Sequence, residues 1–391
     1  MSFPQQLLDY ARLPNNSNRG KRLQQREQSS SQAGKEPDHA MPAATSQILP
    51  FPFAEASDHE YAALNRHFNR AKAETLPDDP PTPLEELIAQ MKNIPPFVGA
   101  EAWVGWNPDR TEMVAAGVVQ WMKTKENAHL AQLDLSVDQY ARRQGLGRDL
   151  LRLAVQAAQA ENRRLLMTET NDRVPAGEAF MVRLGAERGL EMHTNQLSLA
   201  ELDLSLIGRW QQEGAERAAG FTLGFWNGSY PDDQIEAVSE LYDVMNTAPR
   251  DGLDMEDMHM TPEQLRQIAQ TEAAMGTERW TVYATETATG RFAGFTETTW
   301  KPGRPQIVSQ GSTGVFPEFR GLGLGRRLKA AMLTRILETR PEAKFVRTGN
   351  ADSNAAMLGI NHALGFKPYM SNCVWQIETG KAQAYLSKPT A

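Results

Sequence analysis

Apolar and polar residues alternate over 280–286, 292–300 and 307–315, and the turn pairs Thr289-Gly290 and Pro302-Gly303 separate these runs. A period of two predicts strands of a meander. The period then lengthens. Leu328, Met332 and Ile336 recur every fourth residue and predict an amphipathic helix over about 325–339. Upstream, the pattern predicts a strand over 221–226 and helices over 232–246 and 261–276, the second opened by Thr-Pro-Glu. Downstream it predicts a strand over 345–348, a helix over 354–364 and a closing strand over 369–377. The order is βααβββαβαβ.

The first half of the chain reads the same way. A strand is expected over 47–52, helices over 58–75 and 84–93, and strands near Phe97, Met113 and Ala128. A helix over 147–161 and a strand over 165–168 follow. A helix over about 206–217 joins the halves. The parallel extends to residues: Leu133 to Gly147 aligns without gaps on Gly311 to Gly325 at an offset of 178, and Leu184-Gly185 matches Leu364-Gly365 at an offset of 180. Two elements repeated in order with near-constant spacing mark a duplicated unit. The expected organisation is a disordered tail over 1–45, rich in Gln, Ser, Asn and Pro, then domains over 46–202 and 221–391 with a linker helix over 203–220. The expected fold class is α/β, with a mixed sheet in each of two tandem domains.

Each copy of the repeat ends a strand in Val (Val137, Val315), turns through Arg-x-x-Gly-x-Gly and enters a long helix. The turns are Arg142-Arg143-Gln144-Gly145-Leu146-Gly147 and Arg320-Gly321-Leu322-Gly323-Leu324-Gly325. Such a turn gathers backbone N–H groups in a small volume, and glycine lets a phosphate approach where a Cβ would block it. The helix adds its unpaired N–H groups and the positive end of its dipole. Arg142, Arg143 and Arg148 in one copy, and Arg320, Arg326 and Arg327 in the other, supply charge that suits a diphosphate. A dinucleotide fingerprint begun at Gly321 or Gly145 meets Arg326 or Leu150 where it needs its last glycine, and no Gly-Lys-Ser/Thr follows either turn.

Composition narrows the class. The chain has 391 residues, 40% hydrophobic and 23% charged, as ordinary globular domains do. No apolar stretch approaches the roughly 18–20 residues of a spanning helix, so no membrane association is expected. The amino terminus lacks a basic stretch leading into an apolar run, and the expected location is the cytoplasm. A net charge of −7 argues against a nucleic-acid partner. Cys373 is the only cysteine and the seven histidines are scattered, so no metal site is expected.

The run Val315-Phe-Pro-Glu-Phe-Arg320-Gly-Leu-Gly-Leu-Gly325 resembles motif A of the GNAT superfamily of acyl-CoA N-acyltransferases. Thr348-Gly-Asn350 through Asn354 and Asn361 to Gly365-Phe366 resembles that superfamily's next motif. The resemblance covers about residues 46–378 and is closest to the tandem-GNAT group that includes mycothiol synthase. It implies acetyl-CoA as cosubstrate and a small-molecule primary amine as acceptor. It implies that CoA is held by Arg320, Gly321, Gly323, Leu324, Gly325 and Arg326, by the strand Thr313 to Phe316, and by Asn350 and Asn354. The acetyl carbonyl is then polarised by an N–H near Val315. In the first half the corresponding residues are Val137, Arg142, Arg143, Gly145, Leu146, Gly147 and Arg148.

Two departures matter. Asn361 stands where many members carry a tyrosine that protonates the leaving thiolate, and an amide has no such proton to give. In the first half that position is Met181, the upstream asparagine is Val174, and Gly-Phe has become Gly185-Ala186. The expectation is that the second half carries the chemistry and the first binds CoA without turnover or braces it. The alternative is a non-catalytic acyl-CoA-binding or scaffold protein. Glu297, on a central strand, is the candidate general base, and Asp251, Asp254, Glu256 and Asp257 form a loop suited to a cationic acceptor.

Overall fold

The computed structural model describes residues 47–389. The disorder expected of residues 1–45 falls outside them. The first half runs β1 (Gln47–Pro50), α1 (Asp58–Thr75), α2 (Leu84–Lys92), β2 (Val98–Trp106), β3 (Met113–Met122), β4 (Leu130–Val137), α3 (Leu146–Ala160), β5 (Leu165–Asn171), α4 (Pro175–Leu184) and β6 (Glu187–Ser198). After α5 (Leu204–Arg217), the second runs β7 (Phe221–Asn227), α6 (Ile235–Tyr242), α7 (Pro262–Ala274), β8 (Glu278–Glu286), β9 (Phe292–Trp300) and β10 (Ile307–Val315). It continues with α8 (Leu324–Thr339), β11 (Phe345–Ala351), α9 (Ala355–Leu364), β12 (Lys367–Glu378) and α10 (Thr379–Leu386). Local signals set several boundaries. Ser57 and Glu60 form a capping box on α1, and Thr261 and Gln264 form one on α7, which also has Pro262 in its first turn.

One twelve-stranded sheet holds both halves, in the order β1-β2-β3-β4-β5-β12-β6-β11-β10-β9-β8-β7. The closing strands are exchanged. β12, last in the chain, pairs antiparallel with β5 of the first half from Asn372↔Asn171 to Glu378↔Leu165. β6, which closes the first half in sequence, pairs with β11 of the second from Phe345↔Ser198 to Ala351↔Met192. The cores follow the exchange. Ile377 and Ala382 are buried with Leu150, Leu151 and Val155 of α3, whereas Leu197 and Leu199 are buried with Leu328, Met332 and Ile336 of α8.

Each half contains one parallel pair, joined through its long helix. β4 and β5 are paired at Leu130↔Leu165, Ala131↔Leu166 and Gln132↔Met167, and β10 and β11 at Ile307↔Phe345, Val308↔Val346 and Ser309↔Arg347. Beyond those three steps the strands diverge, leaving an unpaired strand edge that faces a gap.

Candidate active site

The divergence exposes β10 just before the Gly-rich turn. The Phe316 N–H donates to the Ala293 carbonyl at 2.9 Å, so alternation along the strand turns the Val315 N–H and carbonyl toward the gap. The carbonyl is accordingly reached by Arg320 Nε at 2.9 Å. Gly321 and Gly323 follow at φ 80° and 84°, left-handed values that glycine adopts without steric cost, and α8 begins at Leu324. The pairing of β10 with β9 shifts register between Gln310 and Thr313, which identifies a β-bulge at Gly311-Ser312. A bulge re-aims the backbone, here beside the gap.

The gap opens into a cavity of about 250 Å³ whose walls include Ser312, Thr313, Thr348, Asn350 and Asn354. Glu297 lines it but is 1% exposed, and it accepts hydrogen bonds from the hydroxyls of Tyr230, Tyr242 (2.8 and 2.9 Å) and Thr281 (2.8 Å). Burial keeps the Tyr230 phenol well above its usual range and therefore protonated. Asn361 is fully buried behind the wall. Its amide donates to Asn350 Oδ1 at 2.7 Å, so it orients a wall residue and does not border the cavity itself.

Sequence reasoning missed two cations here. Lys329 of α8 is 2% exposed, borders the cavity and faces no carboxylate; burial pushes its ammonium down to about 7. Its equivalent at the offset of 178 is Leu151, fully buried in the first core, so the aligned halves carried the signal. Arg304, in the turn between β9 and β10, lies on the wall this cavity shares with that of the first half, and burial holds it below the usual guanidinium range. The four acids of the 251–257 loop are elsewhere. Asp254 pairs with Arg164 at 2.7 Å, Glu256 accepts from the Asn127 N–H, and Asp257 pairs with Arg250. None of the four borders either cavity.

In the first half the turn is kept but differently engaged. Arg142 reaches the Val137 carbonyl at 3.0 Å as Arg320 reaches Val315, yet its guanidinium is bound at both ends by Glu74 of α1. Arg320 instead donates to the neutral Thr247 hydroxyl at 2.6 Å. Arg148 donates to the Leu386 carbonyl at 2.8 Å and so caps α10. Arg143 occupies the left-handed position that Gly321 fills in the other half, at φ 65°. β4 pairs with β3 from Ala115↔Val137 to Gln120↔Gln132 with no register shift, so the bulge is missing. Val174 precedes α4 without a side-chain cap, and Met181 is buried with Cys373 and Trp375. A non-glycine residue held left-handed costs about 1 kcal/mol, so Arg143→Gly is expected to raise stability by up to that amount in a urea titration. A loss above 1 kcal/mol would show that the arginine side chain holds the turn.

This architecture is that of the GNAT superfamily. The chain matches the structure of a tandem GNAT protein from the clavulanic acid biosynthesis pathway at TM-score 0.69 and 26% identity, over 88% of this chain and 100% of that one. A GCN5-related N-acetyltransferase from Sphaerobacter thermophilus matches at TM-score 0.58 and 16% identity, over 85% and 96% of the two chains, which supports the fold alone. No protein-family model matches the sequence, and no curated protein does. The chain thus has the fold of a tandem GNAT protein, two such units in one polypeptide. Among the described residues no helix is long and apolar enough to cross a membrane, and no three His, Cys, Asp or Glu side chains are grouped to hold a metal ion.

Proposed function

We propose that the protein is an acyl-CoA-dependent N-acyltransferase that moves an acetyl group from acetyl-CoA to a primary amine in the cleft of the second half. The observation that carries this reading is the bulge in β10 beside a cleft-facing Val315 N–H, since β4 has no counterpart to the bulge. The residues around it fit the cosubstrate. The turn from Arg320 to Arg326 takes the pyrophosphate, and the free edge from Thr313 to Val315 pairs with the pantetheine amides. The Val315 N–H polarises the thioester carbonyl, and an aligned donor of this kind contributes about 3 kcal/mol of transition-state stabilisation.

The amine nitrogen attacks that carbonyl carbon, the C–S bond breaks, and CoA leaves as thiolate while the amine proton passes to Glu297. Lys329 borders the same cavity and stabilises negative charge in it. The 251–257 acids lie outside the cleft, and the cation on its walls that faces no carboxylate is Lys329. The acceptor we favour is therefore a primary amine that also carries an acidic group.

The test compares two arginines. Arg320→Ala is expected to raise KM for acetyl-CoA at least about tenfold, and Arg142→Ala to change it less than twofold, with CoA release measured against an amine panel. The reverse order would move the chemistry to the first half. Acetyl-CoA raising the melting temperature without CoA release for any amine would leave a binding protein.

A further inference from the structure

The first half has its own cavity, about 320 Å³, with Ser136 of β4 on its wall. Ser136 Oγ lies 2.6 Å from Nε2 of His67 on α1, and His67 Nδ1 lies 2.9 Å from Oδ1 of Asp138. His67 is fully buried. Burial alone would raise the Asp138 carboxyl, but hydrogen bonds from His67 and Arg70 outweigh it and hold the group below the usual carboxylate range. Arg70 Nε donates to the second oxygen at 2.9 Å and fixes the carboxylate's orientation. An ionised carboxylate at Nδ1 selects the tautomer with its proton there. Nε2 is left as the acceptor for the serine hydroxyl.

The backbone supplies the remaining part. The Asp138 N–H donates to the Val114 carbonyl at 2.9 Å, so the Val137 N–H points away from β3 into the gap left by β5. It belongs to the residue after the serine, a position from which hydrolases draw an oxyanion donor. In the second half Ser136 corresponds to Gly314, where a Cβ would meet Val244 Cγ1 at 2.6 Å. The nucleophile therefore has room in one half only. Phe68, Leu87, Met91 and Val118 give the cavity apolar walls that suit a short acyl chain, and its charged lining carries both signs, Lys72 and Arg304 beside Glu86, Asp134 and Glu169, so no net charge selects an ionic substrate.

We propose that Ser136, His67 and Asp138 form a second site, an acyl hydrolase for short uncharged carboxylic esters. The Ser136 hydroxyl proton moves to His67 Nε2 as Oγ attacks the ester carbonyl, and the oxyanion is held by the Val137 N–H. The C–O bond to the alcohol breaks, the alcohol leaves with the proton from His67, and the acyl group stays on Oγ. Water, deprotonated by His67, releases the carboxylic acid and restores the serine.

A fluorophosphonate probe on the full-length protein tests this, because Oγ displaces fluoride only when the histidine activates it. One adduct is expected, mapped to Ser136 by peptide mass spectrometry. Ser136→Ala is expected to abolish it and to lower p-nitrophenyl butyrate hydrolysis about 100-fold. His67→Gln should lose both signals too, and if that buried substitution impairs folding, Ser136→Ala, which deletes one oxygen, decides the matter. No adduct at Ser136, or equal hydrolysis by Ser136→Ala and the unaltered protein, overturns the proposal. Both assays run without CoA or amine, so their failure would not touch the transferase reading.

Discussion

A chain ending at Phe366 is expected to lose cooperative folding in both halves, although every element of the first half precedes that point. β12 fills the sheet between β5 and β6, and Cys373, Val374, Trp375 and Ile377 are all buried on it. Burying four such side chains contributes about 6–10 kcal/mol, comparable to the whole net stability of a domain. Its loss also bares the edges of β5 and β6, which invites aggregation. Circular dichroism melts and size-exclusion chromatography of the truncated chain provide the measurement. Adding a peptide of residues 367–389 should restore part of the transition. A truncated chain melting as sharply and as high as the full one would disprove the dependence.

The second large effect is expected at Lys329. An ammonium titrating near 7 when folded and near 10.5 when unfolded disfavours the folded state by about 5 kcal/mol wherever both forms are charged, which is below pH 7. Between pH 7 and 10.5 the unfolded chain binds the extra proton, so this contribution to stability rises with pH by up to about 1.4 kcal/mol per unit. Lys329→Leu, which copies Leu151, should raise stability at pH 7 by several kcal/mol and flatten the slope between pH 7 and 9 relative to the unaltered protein. The same variant should transfer acetyl groups more slowly, because the cleft loses a cation. Denaturant titrations at several pH values read the first effect and CoA release the second. A variant as stable as the parent at pH 7 would mean that the amine is solvated in the folded protein.

Much of the fold was legible because local signals and the repeat agreed. The helix over 58–75 matches α1, and the strands over 292–300 and 307–315 match β9 and β10. The exchange of β6 and β12 was not legible, since a strand's alternation reports its two faces and says nothing of which neighbours flank it. The bulge was hidden for a related reason. The two Gly-rich segments align without gaps, and the register shift arises from pairing with β9, which a single sequence does not display. The neutralisation of Arg142 by Glu74 joins residues far apart in the chain. α10 went unforeseen because Thr379-Gly380 gives it no capping signal. Asn361 was picked out by its position in the motif, but only packing could show that it stands behind Asn350.

Strand exchange also sets a timetable for synthesis. The first half leaves the ribosome well before the second, yet β5 lacks its neighbour until residue 378 has emerged, about 10–40 s after β5 itself at ordinary translation speeds. During that interval its edge and the surface destined for Trp375 and Ile377 are uncovered. Nascent chains of this protein should therefore depend on holding chaperones more than a single GNAT unit does.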